Sequence, residues 1–203
     1  GLDTLCRRPM ERHHRTETRQ ALFAAALELF AEHGYQHTSH ADIAAAAGIG
    51  RTTFYEYFAS AEDLLVELVS ATLPDLVEEM VAVTPDSLAP DEQLGALSAH
   101  MIEFVGTDHL GLILHTEVPR LSDEAQRSIA VSHRELSEAF TGIYRDGVEA
   151  GIFRDLPDPL AGRLIFQVIM TAGRTVMDAV EPKQEVHEVA DTAVRFLLQG
   201  LKA

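Results

Sequence analysis

Apolar residues recur at three- and four-residue steps along most of this chain, which is the period of an amphipathic helix. The first such stripe consists of Leu22, Ala25, Ala26, Leu29 and Phe30. It predicts a helix over about 16–32, ended by the glycine at position 34. Neither paired strand segments nor an internal repeat is evident in the sequence. The pattern therefore predicts an all-α fold.

Two more short helices are predicted directly after the first. Ser39 can cap a helix over 41–46, with Asp42 in its first turn. Gly48 then turns the chain, and residues 51–58 are predicted to form a third helix that ends before the next serine. Three short helices therefore fit into fewer than fifty residues.

Longer helices are predicted for the rest of the chain. Ser60 can cap a fourth helix, in which Pro74 is expected to cause a kink or a restart. Residues 84–90 are the clearest loop. The remaining predicted helices lie near 91–105, 109–117, 123–150, 159–179 and 185–201. The chain thus has about nine helices, which we divide into an N-terminal arm (1–15), a three-helix headpiece (16–59) and a larger body (60–203).

Charge is distributed unevenly between these parts. The formal net charge of −16 argues against a protein that coats nucleic acid by phosphate neutralisation alone. Residues 1–59 carry six arginines and seven carboxylates, whereas residues 60–203 carry a net charge of −15. The arm is basic and is expected to be flexible. It is interpreted either as a DNA-contacting segment, with Arg15 and Arg19 nearest the first helix, or as a disordered tail.

The segment 42–58 meets the requirements of a helix-turn-helix motif. Such a motif needs a small residue in its turn, apolar residues that hold two short helices together, and polar side chains on the exposed second helix. Gly48 supplies the turn. The apolar set is Ile43, Ala44, Ala47, Ile49, Phe54 and Phe58. The polar set is Arg51, Thr52, Thr53, Tyr55 and Tyr57.

The stretch TSHADIAAAAGIGRTTFYEYFASAEDLL, positions 38–65, closely resembles the signature of the tetracycline-repressor (TetR) family. The signature consists of a capped helix, an AG-hydrophobe turn, a short aromatic recognition helix and an S-x-E-x-L restart. The segment DGVEAGIFR at 146–154 looks like the family's link before its dimerisation helices. The resemblance implies a helix-turn-helix headpiece on a ligand-binding and dimerisation body. It further implies a transcriptional repressor that binds a palindromic operator as a dimer and is released by a small-molecule inducer.

The same resemblance assigns roles within the recognition helix. Arg51, Thr52 and Thr53 would face bases, while Tyr55 and Tyr57 would face phosphates. The chemistry is suitable, because arginine can pair with guanine, a threonine methyl can touch thymine and a tyrosine hydroxyl can donate to phosphate. A good base contact contributes about 1–3 kcal/mol of discrimination.

The second helix would add to this surface, although two contacts of the family are missing. Ser39 and His40 would flank the DNA. Many relatives carry an arginine at the position of Ala41 and a lysine at that of Ala61, where the side chains can meet a base and a phosphate. Arg51 is thus the only arginine of the motif, and affinity must depend on the arm and on neutral hydroxyl groups.

Two sets of residues in the body are candidates for binding. An apolar pocket with a few polar anchors is the usual composition of a small-molecule site. The candidates are Met101, Phe104, Leu112, His115, Phe140, Tyr144, Phe166, Met170 and Arg174. Plain helix core is the competing interpretation for each. Apolar stripes on the last two helices predict a homodimer interface that includes Leu164, Val168, Val176, Val189 and Phe196.

Other kinds of site find little support. His33, His37 and His40 do not share a helical face, because Gly34 interrupts them, so no metal site is predicted. Catalytic motifs such as G-x-S-x-G and phosphate-binding glycine loops are missing, so we expect neither an enzyme nor a cofactor. With the single cysteine Cys6, no long apolar run and no signal peptide, the chain is expected in the cytoplasm.

The sequence leaves one rival from another functional class. A helical small-molecule-binding protein or enzyme could retain a headpiece that has lost DNA binding. Ala41, Ala61 and the acidic charge motivate this alternative. The expected partners under the main hypothesis are a double-stranded DNA operator, a largely apolar inducer and a second copy of the chain.

Overall fold

The computed structural model of the protein is helical throughout. It describes residues 3–82, 84–85, 87–157 and 159–203, and the side chains of residues 3–13, 81, 109, 112, 115 and 132 lie outside this description. The α-helices are α1 (Asp3–His33), α2 (His40–Ala46), α3 (Arg51–Phe54), α4 (Ala61–Ala82), α5 (Pro90–Thr107), α6 (His109–Thr116), α7 (Asp123–Ser132), α8 (Arg134–Glu149), α9 (Leu160–Met177) and α10 (Pro182–Leu201). In the described part of the chain, extended segments meet only at a bridge between Phe153 and Lys202. The predicted all-α fold is confirmed.

An apolar core joins the three helices of the headpiece. Leu22 and Phe30 of α1, Ile43 of α2, Phe54 of α3 and Phe58 just beyond α3 are all buried. The rings of Phe54 and Phe58 lie 6.0 Å apart, within the range of favourable aromatic contact. Because α3 is only one turn long, this packing is what holds it in place.

The first helix begins earlier than its apolar stripe indicates. It starts at Asp3, whereas the prediction started it near position 16. Residues 11–20 are polar on every side, so they contain no apolar period that would reveal a helix. Much of the predicted arm is therefore helical backbone continuous with α1, and only its side chains from His14 onward are described.

Helix α5 is the centre of the body and packs against α9 and α10. Two glycines allow α5 and α9 to approach closely. A Cβ atom at Gly106 would lie 2.6 Å from Val176, and one at Gly173 would lie 2.5 Å from Val105. Such distances are too short for real contacts, so the interface depends on the missing side chains.

Two body helices differ from their predictions. Helix α4 is continuous through Pro74, so the restart that was one of the two expectations there is wrong, and the missing N–H does not end the helix. The single helix expected over 123–150 is wrong, because the chain divides it into α7 and α8 at His133. The His133 Nδ1 lies 2.9 Å from the Ile129 carbonyl oxygen, which also accepts the His133 N–H at 3.1 Å. The side chain thereby caps the end of α7.

Candidate nucleic-acid interface and ligand cavity

The second helix of the headpiece begins at Ser39, the predicted cap, and Asp42 completes a capping box with it. The Ser39 hydroxyl accepts a hydrogen bond from the Asp42 N–H at 3.2 Å and donates to Asp42 Oδ2 at 2.6 Å. The Ser39 N–H donates to the same oxygen at 2.9 Å. Hydrogen bonds from the Ser39 side chain and backbone hold the pKa of Asp42 below its ordinary value. The start of α2 is therefore fixed.

A left-handed glycine makes the turn between α2 and α3. Gly48 has a φ of +71°, which residues with a Cβ rarely adopt. The Ile49 N–H then donates to the Ala44 carbonyl at 2.9 Å. The predicted turn residue is thus the one that the backbone requires, and it sets the direction in which α3 leaves α2.

Helix α3 separates polar from apolar residues. Phe54 is fully buried. Arg51 and Thr52 are exposed, Thr53 is half-buried, and Tyr55 is exposed. Because the buried Phe54 anchors the helix, the side chains expected to face bases point outward from a fixed support.

A direct contact joins α2 to the recognition helix. The Tyr55 hydroxyl lies 2.9 Å from His40 Nε2, and the two rings are 5.1 Å apart. The His40 ring also lies 5.8 Å from that of Phe54. Two of the predicted DNA-contacting residues therefore form one unit that spans both helices of the motif.

The two described arginines of the N-terminal segment have different surroundings. The Arg15 guanidinium lies 5.6 Å from the centre of the Tyr57 ring, so two predicted DNA-contacting residues stack on each other. Arg19 instead forms an ion pair with Glu67 of α4. Its guanidinium also lies 5.3 Å from the centre of the Phe58 ring. Arg15 thus adjoins the candidate DNA surface, whereas Arg19, although 44% exposed, is paired with an acidic side chain of the same chain.

The sequence did not reveal the link between α4, the helix that follows the headpiece, and α7. Glu62, in the first turn of α4, accepts hydrogen bonds from the Ser122 N–H at 3.0 Å and from the Ser122 hydroxyl at 2.6 Å. Ser122 is also the N-cap of α7. Since the two residues are 60 positions apart, no local pattern could have paired them. The link connects α4, which follows the recognition helix, to α7, which precedes α8.

A phenol and several carboxylates surround this link. Burial raises the pKa of Tyr35, and the charges of Glu62 and Asp63 raise it further. Glu117, at the end of α6, is buried and has Arg120 Nη1 3.5 Å from its Oε2 atom. The region around the contact between Glu62 and Ser122 is therefore rich in carboxylates.

A cavity of about 530 Å³ lies between α8 and the start of α9. Its apolar lining includes Phe140, Tyr144 and Phe166, and Arg145 and Arg163 add two guanidinium groups. The Tyr144 hydroxyl donates to the Arg154 carbonyl at 2.8 Å, so that ring is held in the wall. The volume falls within the range of small-molecule sites.

Only part of the predicted pocket set meets at this cavity. Phe140, Tyr144 and Phe166 line it. Met101 belongs to the buried core, Phe104 and Met170 pack against that core, and Arg174 is exposed at the surface of α9. The side chains of Leu112 and His115 lie outside the described residues. Sequence periodicity identified apolar residues, but it could not show which of them border a cavity.

A second, shallower groove of about 720 Å³ runs between α9 and α10. It is lined by the predicted interface residues Leu164, Val168, Val189 and Phe196, and Phe196 is 70% exposed. Val176 differs from this prediction, because it is fully buried inside the chain against Gly106 and has no surface to offer a partner.

Gln167 borders both concavities of the body. It lines the cavity between α8 and α9, and it also lines the groove between α9 and α10. Its side chain leaves α9 at a position between the two faces. Gln167 is therefore in contact with both concavities.

The described residues contain neither a metal-binding cluster nor a helix that could span a membrane. Among the described residues, no group of three histidine, cysteine or acidic side chains is placed to hold a metal ion. In the same part of the chain, every helix is too short or too polar to cross a bilayer. The candidate sites are the headpiece surface and the two concavities of the body.

A helix-turn-helix with an exposed polar recognition helix, carried on a helical body, defines a class of DNA-binding regulators. Comparison with known families agrees. Residues 22–68 match the model of bacterial regulatory proteins of the tetR family. Residues 87–174 match the tetracyclin repressor-like C-terminal domain. The chain belongs to the TetR family and is a DNA-binding transcriptional regulator.

Individual relatives extend over most of the chain. It is 30% identical over 159 residues to the HTH-type transcriptional repressor KstR2 of Rhodococcus jostii, covering 77% of this chain and 78% of the relative. It is 26% identical over 180 residues to the fatty acid metabolism regulator protein of Bacillus subtilis, covering 87% and 92%. The crystal structure of FadR from Bacillus subtilis with stearoyl-CoA has the same fold, with a TM-score of 0.77 and 24% identity over 90% of this chain and 98% of that one.

Proposed function

We propose that the protein is a dimeric repressor that binds a palindromic operator and is released by a small molecule. The observation that carries the proposal is the recognition helix α3. Arg51 and Thr52 are exposed on a single turn, and the fully buried Phe54 fixes its orientation. Such a helix enters the major groove and presents its first residues to base edges. Acting on DNA, the protein would work in the cytoplasm.

The exposed apolar residues of α9 and α10 support a dimer as the binding species. Leu164 is 45% exposed and Phe196 is 70% exposed, and both line the groove between these helices. Apolar residues that share one face in this way mark a protein interface. A second copy would cover the groove and would place two recognition helices on one DNA molecule, about one helical turn apart.

The lining of the cavity between α8 and α9 supports a proposal for the chemical class of the inducer. Its wall contains Phe140, Tyr144 and Phe166, with Arg145 and Arg163 among them. Glu149 and Asp155 also line this cavity. An amphipathic molecule with an apolar part and an anionic group would fit if its anionic group lay against Arg145 or Arg163 and away from the two carboxylates. The stearoyl-CoA in the FadR structure has this chemistry, and it is therefore a suitable first probe. This assigns the body a binding role without a catalytic step.

Release of DNA would follow from a change in the body. Phe140 and Tyr144 of the cavity wall lie on α8, which directly follows α7. The first residue before α7, Ser122, is bonded to Glu62 at the start of α4. A ligand that favours one placement of α8 would in this way favour one placement of the recognition helix.

The proposal is tested on a duplex that the wild-type protein selects from random-sequence DNA. Arg51→Ala should weaken binding to this duplex at least about tenfold and remove most of the preference over a scrambled duplex. Arg134→Ala, which removes an exposed arginine of the body, is the matched control and should bind as the wild type does.

Two results would count against the proposal. Failure to select any duplex would favour a headpiece that has lost DNA binding, and an undiminished preference in Arg51→Ala would remove the recognition helix from the interface. Stearoyl-CoA should release the duplex from the wild type and less readily from Phe140→Ala. Release that is equal in both proteins would place the ligand elsewhere.

A further inference from the structure

Arg19 lies where three elements of the headpiece and body meet. Its guanidinium is 5.7 Å from the centre of the Phe23 ring on its own helix and 5.3 Å from that of Phe58. Its Nη2 atom pairs with Oε2 of Glu67 on α4. The Arg19 side chain thus contacts α1, Phe58 just beyond α3, and α4.

Glu67, the partner of Arg19, depends on this contact. The Glu67 side chain is 43% exposed as a whole, yet its Oε2 atom is buried and has no hydrogen bond apart from the ion pair. Loss of the arginine would leave a buried carboxylate oxygen without compensation, which is costly. The planar guanidinium can satisfy this oxygen and stack on the two rings at the same time, whereas a lysine ammonium cannot.

We propose that Arg19 is a positioning residue that fixes the recognition helix against α4, and that it is not a phosphate contact. The inference rests on the proposed DNA-binding function. Phe58 directly follows the recognition residues, and its ring packs on Phe54 at 6.0 Å. By holding Phe58 between α1 and α4, Arg19 fixes the angle at which Arg51 is presented.

The two roles predict opposite effects of removing the partner charge. If Arg19 contacted phosphate, Glu67→Gln would free the guanidinium and take away a nearby negative charge, so binding would be unchanged or tighter. If Arg19 positions the helix, Glu67→Gln loosens its support and weakens binding. The salt dependence of binding also distinguishes the two roles. Loss of a phosphate contact lowers the slope of log K against log salt by about 0.9 for each protomer, whereas loss of a positioning residue leaves the slope unchanged.

The experiment titrates the full-length wild type, Glu67→Gln, Arg19→Met and the double variant with the duplex that the wild type selects, at several salt concentrations. We expect each single variant to bind about tenfold more weakly, with an unchanged salt slope and no further loss in the double variant. Arg15→Gln is the control from the same helix and should lower the slope. Unchanged or tighter binding by Glu67→Gln, or a lower slope for Arg19→Met, overturns the inference.

A measurement without DNA keeps the inference separate from the proposed function. The amides of Phe54 and Phe58 donate within the recognition segment, at 3.2 and 3.0 Å. In free Glu67→Gln their hydrogen exchange should be faster than in the wild type, while the amides of α5 stay equally protected. Equal exchange at Phe54 and Phe58 in both proteins overturns the positioning role, even if no duplex is ever selected. If Arg19→Met fails to fold, Glu67→Gln decides the matter.

Discussion

The headpiece and the body of this regulator build their surfaces in different ways. In the headpiece, the candidate DNA surface comes from neighbouring residues, and the contacts that shape it, such as Ser39 with Asp42 and His40 with Tyr55, are local or nearly so. In the body, each concavity lies between two helices, and both have exposed apolar lining residues, Phe166 in one and Leu164 and Phe196 in the other. The headpiece surface is formed within a single chain, whereas the groove of the body is open in the single chain and would be covered by a second copy under the proposed function.

The largest effect should come from placing a charge in the uncovered groove. Phe196→Glu puts a carboxylate where a ring is 70% exposed in the single chain, and burying it against a second copy would be costly. We expect the dimer dissociation constant to rise at least about a hundredfold, with loss of cooperative operator binding. Analytical ultracentrifugation measures the change.

A matched variant shows whether the groove itself is responsible. Val131 is 59% exposed on α7, away from the groove between α9 and α10. Val131→Glu should leave the dimer and DNA binding unchanged. If both variants dimerise like the wild type, the contrast between a complete headpiece and an incomplete body breaks down.

An intermediate effect is expected where the body packs most tightly. Gly106→Ala would bring a Cβ atom to 2.6 Å from Val176, so it should lower the free energy of unfolding by about 2 kcal/mol. Gly142→Ala, on α8, meets nothing within 4 Å and should instead be stabilising by about 0.5–1 kcal/mol. Denaturant titration distinguishes the two. Equal effects would mean that α5 and α9 can separate without cost.

The smallest effect should appear at the cap of α2, and it should depend on pH. Ser39→Ala removes the cap and should cost about 1 kcal/mol at neutral pH. Since Ser39 lowers the pKa of Asp42, the carboxylate stabilises the fold above its ordinary pKa, and this stabilisation is lost as the pH falls through the lowered value. The difference between wild type and variant should therefore shrink in acid. A difference that stays constant with pH would show that the carboxylate plays no part in the cap.

The same contrast explains what could be predicted from the sequence. Ser39, Gly48 and Ser60 act through backbone groups one to three residues away, so their pattern was sufficient to locate the starts of α2 and α4 and the turn before α3. The third helix nevertheless ends at Phe54 and not at position 58 as predicted. The division at His133 lacks a glycine or proline signal, and it was missed. Val176 has the period of a surface stripe, yet Gly106 makes room for it in the core. Whether an apolar residue is buried depends on the side chains of the helix that packs against it. A local sequence pattern does not contain this information.

The shared position of Gln167 bears on how the regulator would behave in a cell. If the groove is the dimer interface and the cavity holds the inducer, one side chain takes part in both equilibria. If the ligand binds the dimer and the monomer with different affinities, it shifts the dimerisation equilibrium. By linkage, dimerisation then changes the affinity for the ligand by the same factor. The inducer concentration that gives half-maximal expression would then vary with the number of regulator molecules per cell, so the gene dosage of the regulator would tune its own sensitivity.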